Sequence, residues 1–428
     1  MVDLCRRLRG VGRLIRFLGR LLAVILVLDA AANIFLFARY GRQDPRAAAP
    51  GYRGDSWPRE YYREYKHTEV KWHPYSYWVS APYRGRYINT GDDGLRRTLQ
   101  SDRASHSNGK VFRIFMFGGS TMWGVAARDD YTIPSWLQRL LDQSPYQVQV
   151  TNFGQEGYVN TQEVLLFAEQ LRKNNIPDMV IFYDGINDTY SGFVNGVAGL
   201  TDGEERRAKE FDLLNDLSPE RLTALYKTAA MKLVLSSGLG NLAKLVVKDM
   251  ARGTVLIVNG DLVRLPHPSG KQTSLYADVI RVLIQNKRFV DGAAREKGIC
   301  ALFYWQPVVF SKEFPTAFER VLEEKAYLGE KDFFAGTFRL MAGAYRDAGI
   351  RNISEIFNTV HGDVFIDRYH ITEDGNRMVA ARMLQDVLPV LSSASAVHER
   401  ARSNNCPACA GEVAGARGDL TSPIIKIK

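Results

Sequence analysis

The chain has 428 residues, 46% hydrophobic and 24% charged, with four cysteines. This balance excludes a mostly disordered chain, a collagen-like repeat, a multi-span membrane protein and a disulfide-built scaffold. The net charge of +9 belongs to the ends: residues 1–46 hold nine Arg and three Asp, residues 399–428 hold five basic and three acidic residues, and the 352 between carry about +1. A near-neutral body lacks the electrostatic footprint of a nucleic-acid binder, so no nucleic-acid partner is expected.

Leu21–Ala38 (LLAVILVLDAAANIFLFA) is an apolar run of 18 residues with one charge, Asp29. Six Arg precede it. By the positive-inside rule residues 1–20 form a cytoplasmic segment, 21–38 a membrane anchor, and the body lies on the periplasmic, extracytoplasmic side of the inner membrane. The alternatives are a buried helix and a cleaved signal peptide, with Leu21–Leu28 as its apolar region and Ala30–Ala32 as its cleavage site. The apolar run resumes at Ile34–Phe37, which suits an anchor better. Asp29 is costly inside a membrane. Residues 39–110 read as a linker and lead-in: a polar linker over 41–65, then a segment rich in aromatics (Trp72, Tyr75, Tyr77, Trp78, Tyr83, Tyr87). The aromatics read as a lid or strand packed on the body, with stacking on sugar rings as the alternative.

From Val111 the rhythm is strand, then helix. Strands are predicted at Val111–Phe117, Gln147–Phe153, Met179–Tyr183 and Cys300–Val309. Helices are predicted at Ile133–Leu141, Thr161–Asn174, Leu275–Lys297, Phe333–Ala348 and Glu373–Leu391. This alternation argues for a parallel α/β sheet covered on both faces, spanning 111–397. It breaks at about 190–271, a largely helical insertion read as capping the sheet; Met231–Val247 within it is amphipathic and basic, and reads as a packed cap helix, with contact to a membrane as the alternative. The tail, 398–428, reads as disordered.

Four segments stand where strands end or before the last helix. Ligand sites in open parallel sheets lie outside the carboxyl ends of the strands. Gly118-Gly119-Ser120-Thr121 turns sharply and leaves Ser120 at a helix start, near free N–H groups. Asn152–Gly157 follows the second strand and Asp184–Asp188 the third. An Asn side chain and a Gly N–H are suited to holding an oxyanion. In Asp367-Arg368-Tyr369-His370, the histidine can take a proton from Ser120, and Asp367 can orient its imidazole.

Taken together and in this order, the segments resemble the four blocks of the SGNH (GDSL-like) hydrolase family, over Val111–Asn187 and Cys300–Leu391. The resemblance implies a three-layer α/β/α sandwich with a flavodoxin-like, mostly parallel five-stranded sheet. It implies Ser120 as nucleophile, His370 as general base and Asp367 as its orienting group. The Ser120 N–H, the Gly157 N–H and the Asn187 side chain would form the oxyanion hole. Gly157 is preferred to Gly154 because it aligns with the glycine of the second block. Gly119 departs from the Asp of the GDSL motif. The flanking Trp72-His73-Pro74-Tyr75 and Tyr87-Ile88-Asn89-Thr90 are similar to a membrane-anchored bacterial subgroup found in exopolysaccharide loci.

No phosphate-loop or dinucleotide fingerprint occurs, and Cys406-Pro407-Ala408-Cys409 is a single pair without further metal ligands, so neither cofactor nor metal is expected. Cys300 and the other six histidines read as surface or core residues, and Asp184 and Asp188 as supports of their loop. The expected activity is an extracytoplasmic serine esterase acting on an acylated polysaccharide or another ester. The alternatives are a polysaccharide O-acetyltransferase, a lipid esterase or thioesterase, and a non-catalytic glycan-binding protein.

Overall fold

Five short runs build one parallel sheet: β1 (Phe112–Gly118), β2 (Val148–Asn152), β3 (Met179–Asp184), β4 (Cys300–Trp305) and β5 (Arg351–Asn352). Their order is β2-β1-β3-β4-β5, and every pairing is parallel. This is the flavodoxin-like order, whose switch point lies between β1 and β3. The computed structural model describes residues 2–41, 44–101, 111–201, 203–215, 218–250, 255–258, 261–264 and 272–404. The Cys406–Cys409 pair and most of the expected tail lie outside them. The chain divides into two compact units, Met1–Arg382 and Met383–Lys428. The described part of the second is the end of the last helix; the sheet and all four site segments belong to the first.

The helices are α1 (Val2–Leu36), α2 (Trp57–Tyr65), α3 (Ser120–Trp123), α4 (Ile133–Leu141), α5 (Asn160–Arg172), α6 (Ile186–Asn195), α7 (Glu204–Asn215), α8 (Pro219–Ser236), α9 (Gly238–Met250), α10 (Gln272–Lys297), α11 (Ala317–Glu324), α12 (Glu330–Ala348) and α13 (Glu373–Asn404).

β1, β3 and β4 are near-continuous apolar runs because both sheet faces are buried there. Phe115, Phe117, Val180, Phe182, Phe303 and Trp305 share one core with Phe167 of α5, Ile280 and Leu283 of α10, and Met341 of α12. The register sets Phe117 opposite Phe182 and Phe182 opposite Phe303. Their rings stack at 4.9 and 4.7 Å. Residues of the opposite phase, Ile114, Met116, Ile181 and Leu302, are buried too, and α4 lies against β2. Thr132 starts α4 by accepting from the Ser135 N–H at 3.3 Å, with Pro134 in the first turn. The fifth strand has two residues and no apolar run to announce it, so periodicity does not find it.

Two stretches differ from their sequence reading. The polar linker over 41–65 contains α2, whose Tyr61 and Tyr62 are fully buried with Tyr52, Ile88, Trp123 and Ala126. Aromatic rings, not aliphatic spacing, make this core, so a hydropathy pattern misses it. The insertion does not cap the sheet with α8 and α9. Instead α9 packs against α1, and every residue from Tyr226 to Val234 of α8 is exposed. Val255–Val258 pairs with Asp261–Arg264 as an antiparallel hairpin.

Candidate active site

The site lies at the carboxyl ends of β1, β2 and β3, at the switch point. β1 ends at Gly118, and α3 begins at Ser120, with Gly119 as its N-cap. The first N–H groups of a helix have no partner within it, so the Ser120 N–H stands beside its own hydroxyl as a donor. Gly119 is required by a close approach: a Cβ there would lie 2.0 Å from Asn187 Nδ2.

Arg96, fully buried, clamps the end of α3. Its guanidinium bonds Asp129 Oδ1 at 2.9 Å and the carbonyls of Gly124 and Ala127 at 2.6 and 2.7 Å. Asn152, at the end of β2, donates to the Met122 carbonyl at 3.1 Å. The chain then runs to Gly157, exposed and at φ +74°, a left-handed turn that favours glycine. Trp78 borders this turn: its Nε1 donates to the Glu156 carbonyl at 2.9 Å. Asn187, on the first turn of α6, donates to the Tyr158 carbonyl at 2.7 Å. An amide nitrogen carries two hydrogens, so this bond fixes its plane while the second points elsewhere.

His370 comes from the loop before α13. Its Nε2 lies 2.8 Å from Ser120 Oγ. Its Nδ1 lies 2.9 and 2.8 Å from the two carboxylate oxygens of Asp367. Asp367 Oδ1 also accepts from the Tyr369 and His370 N–H groups at 2.9 and 2.8 Å. Arg46 stands 3.6 Å from Asp367 Oδ2. Burial disfavours the Asp367 anion, but His370, the hydrogen bonds and Arg46 outweigh it and hold the carboxyl well below its usual range. Glu156 goes the other way: burial raises it, against the Tyr65 hydroxyl it accepts from and the charges of His370, Arg96 and Arg46.

Behind the site lie three buried carboxyls, Glu163, Asp184 and Asp188. Asn160 ties the second and third loops together through them, its N–H to Asp188 Oδ1 at 3.1 Å and its Nδ2 to Asp184 Oδ2 at 2.8 Å. Burial raises all three above the usual carboxylate range, Asp188 to about 6, and Asp184 beside Glu163 adds to the rise of Glu163. The loop-support reading of Asp184 and Asp188 fits these bonds.

The structure therefore brings Ser120, Asp367 and His370 into one hydrogen-bonded row, and places Gly157 and Asn187 on the two loops beside it. Such a row can move a proton from a hydroxyl to an imidazole and stabilise the cation formed. Among the described residues no group of three or more His, Cys, Asp or Glu could hold a metal. Sequence reading misses Arg46, counted there only as membrane-flanking charge; it stacks on Tyr62 at 4.7 Å. It also misses Glu319, although Thr316-Ala317-Phe318-Glu319 is a capping-box pattern that could have flagged it. His73, read as a surface or core residue, meets Ser76 at 2.8 Å and Glu169 at 3.3 Å.

No family model and no curated protein matches the chain. Solved structures similar to it include the acetyl xylan esterase AlAXEase, at 13% identity and TM-score 0.34, covering 64% of this chain and 100% of that one. Another is a member of the lipolytic G-D-S-L family from Veillonella parvula, at 13% identity and TM-score 0.33, covering 64% and 97%. A third is the lipase/acylhydrolase from Enterococcus faecalis, at 11% identity and TM-score 0.33, covering 65% and 95%.

Proposed function

We propose that this chain is a membrane-anchored serine esterase of SGNH type, acting on the extracytoplasmic side of the inner membrane and removing O-acetyl or similar acyl groups from a polysaccharide. The observation that carries this reading is the row from Ser120 Oγ to His370 Nε2, at 2.8 Å, and from His370 Nδ1 to Asp367. In this reading Ser120 Oγ attacks the ester carbonyl while its proton passes to Nε2. The tetrahedral oxyanion rests on the N–H groups of Ser120 and Gly157 and on the Asn187 amide. Asp367, held ionised, stabilises the imidazolium. The intermediate collapses, and the departing sugar oxygen takes the proton from His370. Water then gives a proton to His370 and attacks the acyl-enzyme; the second tetrahedral intermediate breaks its bond to Ser120 Oγ, which takes the proton back from His370 as the acid leaves.

A saccharide substrate is supported by Trp78, an aromatic side chain beside the exposed Gly157. The anchor is supported by an apolar helix, Arg16–Arg39, whose surface is almost wholly bare. The test is to incubate the full chain in detergent with an O-acetylated polysaccharide and measure free acetate, beside Ser120→Ala. Release that vanishes in the variant supports the reading. Acetate moved to a second glycan without free acetate assigns a transferase, and no acyl loss from any ester overturns the proposal.

A further inference from the structure

α8 and α9 form a bent apolar pair, Tyr226–Ser236 and Gly238–Val247, turned by 84° at Ser237. On α8 the side chains of Tyr226, Met231, Leu233 and Val234 are 75%, 58%, 75% and 62% exposed. A helix apolar on several faces needs an apolar surrounding, and nothing in the described protein supplies it. On α9, Val246, Val247 and Met250 are exposed as well.

The break between the two helices meets α1 at Asp29, the one charge of its apolar run. Asp29 Oδ1 accepts from the Leu239 N–H at 2.9 Å, capping the start of the 13-residue α9. Asn33 steadies that carboxylate, donating to Asp29 Oδ2 at 3.0 Å. The helices touch closely here: a Cβ on Gly238 would lie 2.5 Å from the Asp29 carbonyl. Ala32, on the same stretch of α1, is buried, while Leu26, Val27, Ile34 and Phe35 around it are exposed. Asp29 is thus the partner of a helix start, and two bare apolar surfaces are continuous across that contact.

We propose that the bent pair is embedded in the outer leaflet of the lipid bilayer beside α1, as a re-entrant element; this rests on the reading of α1 as the anchor. An arm of 11 residues is about 16 Å long. A symmetric V of this bend reaches roughly 11 Å deep, within one leaflet of ~15 Å. Lys227 and Lys232, both exposed, lie on the arm that rises from the break and can extend their amines to lipid phosphates. The pair gives the catalytic unit a second hold on the membrane, so that its height above the bilayer does not depend on one helix.

The test uses the full chain, with its four cysteines replaced by serine, reconstituted in vesicles of phosphatidylethanolamine and phosphatidylglycerol. Single cysteines are placed at Leu233, Val234, Leu26 and Trp72 and reacted with a membrane-impermeant maleimide. Leu233→Cys, Val234→Cys and Leu26→Cys are expected to react at least tenfold more slowly than Trp72→Cys, and to reach its rate when detergent dissolves the vesicles. Rapid labelling at 233 and 234 with Leu26→Cys still protected overturns the re-entrant element and leaves the anchor standing. Rapid labelling at Leu26→Cys overturns both. Protection at 233 and 234 that detergent does not relieve assigns the covering to protein and overturns the proposal.

Discussion

Asn187 and Gly119 act as one unit at the residue scale. The amide is planar, fixed by its bond to the Tyr158 carbonyl, and lies where any side chain at 119 would stand. Asn187→Ala is expected to lower kcat by about 10²–10³ with KM little changed, because a donor to a developing oxyanion is felt in the transition state. Gly119→Ala is expected to give a loss of similar size without touching the Ser120–His370 pair, because the methyl group displaces the amide. Steady-state kinetics on p-nitrophenyl acetate checks both. Ser120, Asp367 and His370 are legible in the sequence because each sits in a short polar segment ending an apolar run or opening a helix. Arg46 and Arg96 are not, because the carboxylates that tie them to the site and to α3, Asp367 at 3.6 Å and Asp129 at 2.9 Å, are far along the chain. No spacing rule joins them.

At the scale of elements, two buried carboxyl groups near the site act on stability in opposite ways. Glu319, on α11, is fully buried. Its Oε2 meets Lys312 Nζ at 2.6 Å, and its Oε1 accepts from the Val364 N–H at 3.0 Å, just before the loop that carries Asp367 and His370. Glu319→Ala strands the Lys312 ammonium and is expected to cost about 3–5 kcal/mol, read by denaturant unfolding. Glu163 is buried among acids, and its carboxyl pKa is raised well above the usual range by burial and by Asp184. The folded chain then keeps a proton that the unfolded chain has lost above the ordinary carboxylate range. Its stabilising share is therefore full at low pH and is lost as pH rises toward neutral and beyond. Glu163→Gln is expected to match the wild type near pH 5 and to melt about 2–4 °C higher at pH 8. An unchanged slope of Tm against pH contradicts this. Asp367 has the opposite sign: its lowered pKa gives stability above the ordinary carboxylate range that is lost only in strong acid.

At the scale of the molecule, the parallel sheet and its covering helices are readable from alternating runs, because a sheet buried on both faces must be continuously apolar. The lead-in before β1 is not, because its core is built from Tyr52, Tyr61, Tyr62 and Trp123 with polar residues between. Arg46, Tyr61 and Arg96 all reach the site or α3 from this stretch. A fragment beginning at Val111 is therefore expected to be insoluble or molten, whereas one beginning at Asp44 keeps a cooperative melt. Near-UV circular dichroism and thermal unfolding of the two fragments decide the point.

The proposed chemistry depends above all on Ser120 being a nucleophile activated by His370. The most direct measurement is to treat the full chain in detergent with a fluorophosphonate probe and locate the adduct by mass spectrometry, beside Ser120→Ala and His370→Ala. One adduct is expected, on Ser120, absent from the first variant and slowed by about 10⁴-fold or more in the second. A folded chain that takes no label on Ser120, or that labels equally fast without His370, contradicts it.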